Sequence, residues 1–79
     1  MSPTVFYKRN IRFFFFSREE KRMHIHVKQA TKRAKFWIEP IIELESNNGF
    51  NDSELKEIKT EIVNNESIIR ERWNSFFYR

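Results

Sequence analysis

The densest group of residues able to do acid, base or metal chemistry is the segment His24-Ile25-His26. Alternate side chains of a β-strand share one face, so a strand here would place both imidazoles on the same side. Two such imidazoles can act as acid and base on a phosphate ester, with Arg22, Arg33 or Lys35 holding the phosphate. His24 and His26 are therefore the candidate catalytic residues.

Two other interpretations of this histidine pair stay open. The pair would supply two metal ligands, yet no third or fourth ligand follows at a recognisable spacing. Glu43 and Glu45, on a paired strand, are only the nearest carboxylates that would lie on the same face. We therefore expect no metal and no cofactor. The structural interpretation is that both histidines pack on neighbouring strands and hydrogen-bond across the sheet.

Basic and aromatic side chains share the face on which the histidines would lie. Cations neutralise phosphates and flat rings such as Phe14 and Phe16 stack on unpaired bases, as in sheet-based RNA-binding proteins. A solvated face of an antiparallel sheet gives the same pattern, and an acidic protein partner would suit it equally. The candidates for binding nucleic acid or a partner are Arg12, Arg22, Lys28, Arg33, Lys35 and Trp37.

The elements that must position these residues are short strands in the first half of the chain. Their segments are rich in aromatic and β-branched residues or alternate with a period of two. Lys8, Arg9 and Asn10 form a short polar turn, and Asn10 tolerates the left-handed conformation that such turns use. The charged run 17–22 predicts an exposed loop. The predicted strands cover residues 4–7, 11–16, 23–28, 33–38 and 41–45.

The second half of the chain predicts one long helix over residues 51–77. Asn51 is a favourable N-cap, and Glu54 completes a capping box three residues later. Asn65 interrupts the apolar stripe, and we interpret it either as a solvated residue at a helix bend or as a contact to a partner. The stripe consists of Leu55, Ile58, Ile62, Ile69, Trp73 and Phe76. We predict an α+β fold: an antiparallel sheet of four to five strands, packed on one face by this single long C-terminal helix.

The four consecutive phenylalanines, residues 13–16, cannot all lie under that helix. Alternation places Phe14 and Phe16 on the opposite face from Phe13 and Phe15. Their cover is either the end of the helix, with Phe76, Phe77 and Tyr78, or another chain. A second copy is one such chain, so a homodimer is a further expectation.

Composition limits the classes of function. The 79 residues, expected to form a single domain over 1–79, include no Cys and one Gly, which excludes disulfides and a glycine-rich phosphate loop. No window is apolar enough to span a membrane, so we expect no membrane partner and a cytoplasmic location. Residues 1–38 carry a net charge of +8 and residues 39–79 one of −4. The basic half favours an anionic partner.

The chain resembles the small bacterial proteins grouped as domain of unknown function 4160. The resemblance covers nearly the whole chain. It lies in Pro3-Thr4-Val5 leading to a tyrosine and an Ile-Arg-aromatic strand, in His24-Ile25-His26-Val27, in Phe36-Trp37-Ile38, and in Trp73 near the end of the helical region. The chain has Arg22-Met23 where members of the family typically have Pro-Pro, and Asn10 where Gly is common.

This resemblance implies a sheet-plus-helix protein that is one component of a toxin–antitoxin-like pair. Its partner would be a small acidic protein encoded nearby. If the chain is the toxin, the expected target is RNA or the ribosome. The alternative is a nucleic-acid-binding regulator that uses the basic aromatic face without catalysis.

Overall fold

Five strands are followed by two helices in the computed structural model, which describes residues 3–16 and 21–77. The strands form one antiparallel sheet in the order β1-β2-β3-β4-β5, so each strand pairs with its neighbour in the chain. The predicted α+β fold is confirmed. The elements are β1 (Thr4–Lys8), β2 (Ile11–Phe14), β3 (His24–Gln29), β4 (Lys32–Trp37), β5 (Glu43–Asn48), α1 (Asp52–Asn64) and α2 (Glu66–Phe77).

The turn between β1 and β2 differs from the expectation at one residue. Arg9, rather than Asn10, adopts the left-handed conformation, with φ of 57°. The Oδ1 atom of Asn10 instead accepts a hydrogen bond of 2.7 Å from Nε2 of Gln29. The turn brings Lys8 opposite Ile11 and Tyr7 opposite Arg12. Tyr7 and Arg12 therefore lie on the same face of the sheet.

Both edges of the sheet carry an irregularity in strand pairing. The register of β1 on β2 shifts between Thr4 and Phe6, and that of β4 on β5 shifts between Lys35 and Phe36. Such bulges bend an edge strand and disfavour its pairing with another chain. The edges of the sheet are thus less suited to pairing with a further strand.

The fifth strand lies further along the chain than predicted. It covers Glu43–Asn48 instead of residues 41–45, and all six of its residues are exposed. Asn47 lies beyond the predicted strand but belongs to β5 and pairs with Ala34. The Asn47 amide then holds the following turn, since Nδ2 donates to the Phe50 carbonyl at 2.9 Å and Oδ1 accepts from the Phe50 N–H at 3.1 Å.

The helical region begins as predicted but is divided in two. Asn51 and Glu54 form the capping box, with the two reciprocal hydrogen bonds at 2.8 and 2.9 Å. The helical region differs slightly from the single long helix predicted, because α1 ends at Asn64 and α2 begins at Glu66. Asn65 lies at the break, and its Nδ2 donates to the Glu61 carbonyl at 2.8 Å. A side chain that competes for backbone hydrogen bonds is a known cause of such breaks.

The helices bury four residues of the predicted stripe against one face of the sheet, and Leu55 and Phe76 are half-buried. Ile58, Ile62, Ile69 and Trp73 are at most 2% exposed. The end of α2 covers Phe15, whose ring lies 5.2 Å from that of Trp73 and 6.1 Å from that of Phe77. Within the described part of the chain, no helix is long and apolar enough to cross a membrane.

Two sequence-based predictions fall partly on residues outside this description. Of the predicted loop, residues 17–20 lie outside it, whereas Lys21 and Arg22 are described and are exposed. Tyr78, proposed as part of the cover for the phenylalanines, also lies outside the described residues.

Candidate nucleic-acid interface

A cavity of about 500 Å³ lies on the sheet face opposite the helices. It crosses from β2 to β5, and we call it the basic groove. Four of its lining residues carry a full positive charge. No carboxylate from the described part of the chain lines it. Its lining residues are Arg12, Phe14, Phe16, His26, Val27, Lys28, Arg33, Ala34, Lys35, Ser46, Asn47 and Asn48.

Strand register brings the cations of the groove together. Arg12 pairs with Lys28, and Lys28 with Arg33, so three positive side chains stand in one row across β2, β3 and β4. Lys35 follows in the next row, opposite His26. Like charges directly opposite each other destabilise a sheet. This arrangement is therefore unfavourable for the protein alone and favourable for binding an anion.

Several cationic side chains outside the groove form ion pairs with carboxylates. Lys32 pairs with Glu54 at 2.7 Å, Arg70 with Glu39 at 2.6 Å, and Lys8 with Glu61 at 3.8 Å. By contrast, neither Lys28 nor Arg33 forms an ion pair with any residue in the described ranges. Lys28 and Arg33 thus keep their positive charge in the groove, whereas carboxylates neutralise Lys8, Lys32 and Arg70.

The β2 side of the groove is aromatic. Phe14 is 6% exposed and lies under the guanidinium of Arg12, whose Cζ is 4.4 Å from the ring centroid. Arg12 is held there by a 2.7 Å hydrogen bond from its Nε to Oγ1 of Thr4. The cover of Phe14 is therefore formed by neighbours on its own face, and not by the end of α2.

His26 and Phe16 complete this aromatic side. Their rings meet edge to face at 4.4 Å, and Phe16 also meets Phe14 edge to face at 5.2 Å. His26 is half-buried and lines the groove, so it is the predicted catalytic residue that a bound molecule can approach. Phe16 is 43% exposed.

His24 occupies a different environment from His26. Its side chain is 0% exposed. The centroid of its ring lies 5.1 Å from those of His26 and Trp73 and 5.7 Å from that of Trp37. Its Nδ1 donates to the Arg22 carbonyl at 2.7 Å. In this conformation His24 links the sheet to α2 and supports His26 from below the surface.

Arg22 and Trp37 are the two predicted binding residues that lie outside the groove. The Arg22 guanidinium stacks on Trp37 at 4.1 Å, and its Nε donates to the Glu39 carbonyl at 2.7 Å. Lys35 reaches the same ring, with Nζ 4.6 Å from its centroid. Trp37 thus connects Arg22 to the margin of the groove.

Among the described residues, no three His, Asp or Glu side chains are grouped so that they could hold a metal ion. The resolved pKa shifts belong to ion pairs outside the groove. Hydrogen bonds from Lys32 and from the Asn51 backbone hold the pKa of Glu54 below its usual range, and hydrogen bonds to Glu39 and Glu66 raise that of Arg70.

Sequence reasoning missed three polar or aromatic residues on this face. Ser46 and Asn48 line the β5 side of the groove, in register with Lys35 and Arg33. Tyr7, 64% exposed, stands on β1 beside Arg12 and outside the groove. The position of Tyr7 would have followed from a turn one residue shorter, and those of Ser46 and Asn48 from the correct bounds of β5.

Comparison with known proteins identifies the family. No curated protein and no solved structure matches the chain. The family model described as "Domain of unknown function (DUF4160)" matches residues 10–74, a range that includes β2 to β5 and most of the helical region. The chain therefore belongs to the DUF4160 family.

Proposed function

We propose that this chain is the RNA-binding component of a toxin–antitoxin-like module and that it acts in the cytoplasm on RNA or the translation machinery. The observation that carries the proposal is the basic groove, which holds Arg12, Lys28, Arg33 and Lys35 with no described carboxylate. Phosphate neutralisation by such side chains supplies most of the affinity in sequence-independent nucleic-acid binding.

The same groove suits the control of such a component by a partner. A small acidic protein encoded nearby would bind the cations that otherwise bind phosphate, and so would compete with RNA. A homodimer formed through the Phe14 and Phe16 face would cover the groove in the same way. RNA, partner and second copy are therefore expected to exclude one another.

Salt dependence of RNA binding tests this proposal. For single strands, the slope of log K against log salt is about −0.7 per neutralised phosphate, so four cations predict a slope of about −3. The Lys28→Ala, Arg33→Ala double variant should bind more weakly, with a slope of about −1.4. The matched control is Lys56→Ala, Lys59→Ala, which removes two exposed lysines from α1 and should keep the wild-type slope.

The measurement is fluorescence anisotropy with a labelled single-stranded RNA. Equal losses in the two double variants would show that net charge, and not the groove, determines binding. Wild-type protein that binds no RNA even at low salt would overturn RNA binding and would favour the acidic protein as the ligand of the groove.

Growth after induced expression tests the role in a module. We expect arrest by the wild-type chain, relief by co-expression of its genomic neighbour, and no arrest by the Lys28→Ala, Arg33→Ala variant. Normal growth with the wild-type chain would contradict a toxin role.

The alternative, a non-catalytic nucleic-acid-binding regulator, is favoured by one observation, the complete burial of His24. Cleavage of labelled RNA by wild type and by His26→Ala separates the two proposals. A catalytic role predicts cleavage that His26→Ala lacks while RNA binding persists. A regulator predicts binding without cleavage in both proteins.

A further inference from the structure

The phenylalanines of the basic groove lie on its β2 side, beside Arg12, whereas its β4 side carries cations and no ring. Phe14 and Phe16 belong to the β2 side, whereas Arg33 and Lys35 project from β4. One strand, β3, lies between them. With strands about 4.8 Å apart, the two sides are separated by about 10 Å. A nucleotide has a flat base at one end and a charged phosphate at the other, which matches this division.

Phe16 is the ring best placed to contact a base. Phe14 is almost covered by Arg12, but 43% of Phe16 remains exposed at the margin of the groove. Edge-to-face contacts with Phe14 and His26 hold the Phe16 ring from two sides. A ring fixed in this way loses little conformational freedom when a ligand stacks on its free surface.

We infer that the groove selects unpaired nucleotides, with a base stacked on Phe16 and the adjoining phosphates at Lys28, Arg33 and Lys35. The inference rests on the proposed function and adds the class of RNA and the orientation in which it binds. In a duplex the base faces are already stacked on one another, so a duplex cannot cover Phe16. Tyr7 lies on the far side of Arg12 and makes no contact with the ligand in this orientation.

The test compares three ligands in a competition anisotropy assay: a short oligouridylate, a duplex RNA of the same length, and inorganic polyphosphate. Phe16→Ala should weaken binding of the oligouridylate about five-fold or more, as expected for the loss of one base–aromatic stack. Its binding of polyphosphate, which has no bases, should be unchanged. Phe16→Leu, which keeps an apolar side chain without a flat ring, should behave as Phe16→Ala does.

Two substitutions serve as controls. Tyr7→Ala removes an exposed ring from the same sheet face, and Ile68→Ala removes a side chain on α2 that is as exposed as Phe16, at 43%. Both should leave oligouridylate binding unchanged. Equal loss from Tyr7→Ala and Phe16→Ala would overturn the orientation.

Failure of the inference is distinct from failure of the proposed function. If wild-type protein binds oligouridylate but Phe16→Ala has no effect, or affects polyphosphate equally, stacking on Phe16 is refuted while RNA binding stands. Duplex RNA that binds as tightly as the single strand would refute selection for unpaired nucleotides. Absence of all RNA binding would refute both.

Discussion

Lys28→Gln should stabilise the folded protein, because Lys28 stands between two other cations. Arg12 and Arg33 are its partners in register on β2 and β4. Two unit charges about 7 Å apart in water repel by about 0.6 kcal/mol, so two neighbours give about 1.2 kcal/mol before screening by salt. Screening by 0.1 M salt, with a Debye length of about 10 Å, leaves about 0.6 kcal/mol.

Salt provides the internal check on this magnitude. At an ionic strength of about 1 M the Debye length is about 3 Å, and the gain should fall to about 0.1 kcal/mol. The matched control is Lys32→Gln on β4, which removes the partner of Glu54 and should destabilise the protein at low salt. Loss of one positive charge alone would change the stability of both variants in the same direction. The structure instead predicts that Lys28→Gln gains stability and that Lys32→Gln loses it.

The assay is urea unfolding at low and high salt for the wild type, Lys28→Gln and Lys32→Gln. The expected gain would show that this row of like charges reduces the stability of the folded protein. A loss of stability in Lys28→Gln at low salt, or a gain independent of salt, would refute the reasoning.

Two further predictions concern the ion pair of Glu54 and the histidines. The pKa of Glu54 is held below its ordinary value of 4.5, so its contribution to stability is present at neutral pH and is lost as the pH falls through the lowered value. The stability difference between wild type and Lys32→Gln should therefore shrink on acidification in urea unfolding measured from pH 7 to pH 3, and a difference independent of pH would contradict the assignment. His24→Ala should destabilise by about 3 kcal/mol, as for truncation of a buried aromatic ring, whereas His26→Ala should cost less than about 1 kcal/mol in thermal unfolding; similar losses would contradict the difference in burial.

The helix side of the fold could be predicted in most of its detail. Asn51 and Glu54 are a local capping signal, and the spacing of Ile58, Ile62, Ile69 and Trp73 is a direct consequence of helical geometry. The break at Asn65 could not be placed from the same pattern. A side-chain amide in a helix either faces solvent or takes over a backbone hydrogen bond, and local sequence does not decide between these.

The bounds of β5 show where hydrophobic patterning gives no information. All six residues of this edge strand are exposed, so its sequence has no buried face to impose alternation. The predicted strand began too early because it included the apolar residues Ile41 and Ile42, which precede β5. Pairing with β4, a contact between distant residues, determines the observed bounds.

The alternation of side chains along the predicted strands identified which residues share the face of the candidate site. It placed Arg12, His26, Lys28, Arg33 and Lys35 on one face, and all five line the groove. Alternation also placed His24 on that face, but His24 is the first residue of β3 and Trp73 of α2 packs against it. Burial at the end of a strand depends on which element packs there, and this tertiary contact has no signal in the strand itself.

The most direct test of the central claim, that the face opposite the helices binds RNA, is a titration of ¹⁵N-labelled protein with a short oligouridylate followed by NMR. We expect chemical-shift changes grouped at Phe14, Phe16, His26, Lys28 and Lys35, with the amides of α1 and α2 unaffected. Changes grouped on the helices, or none at concentrations where RNA binding is measured, would contradict it.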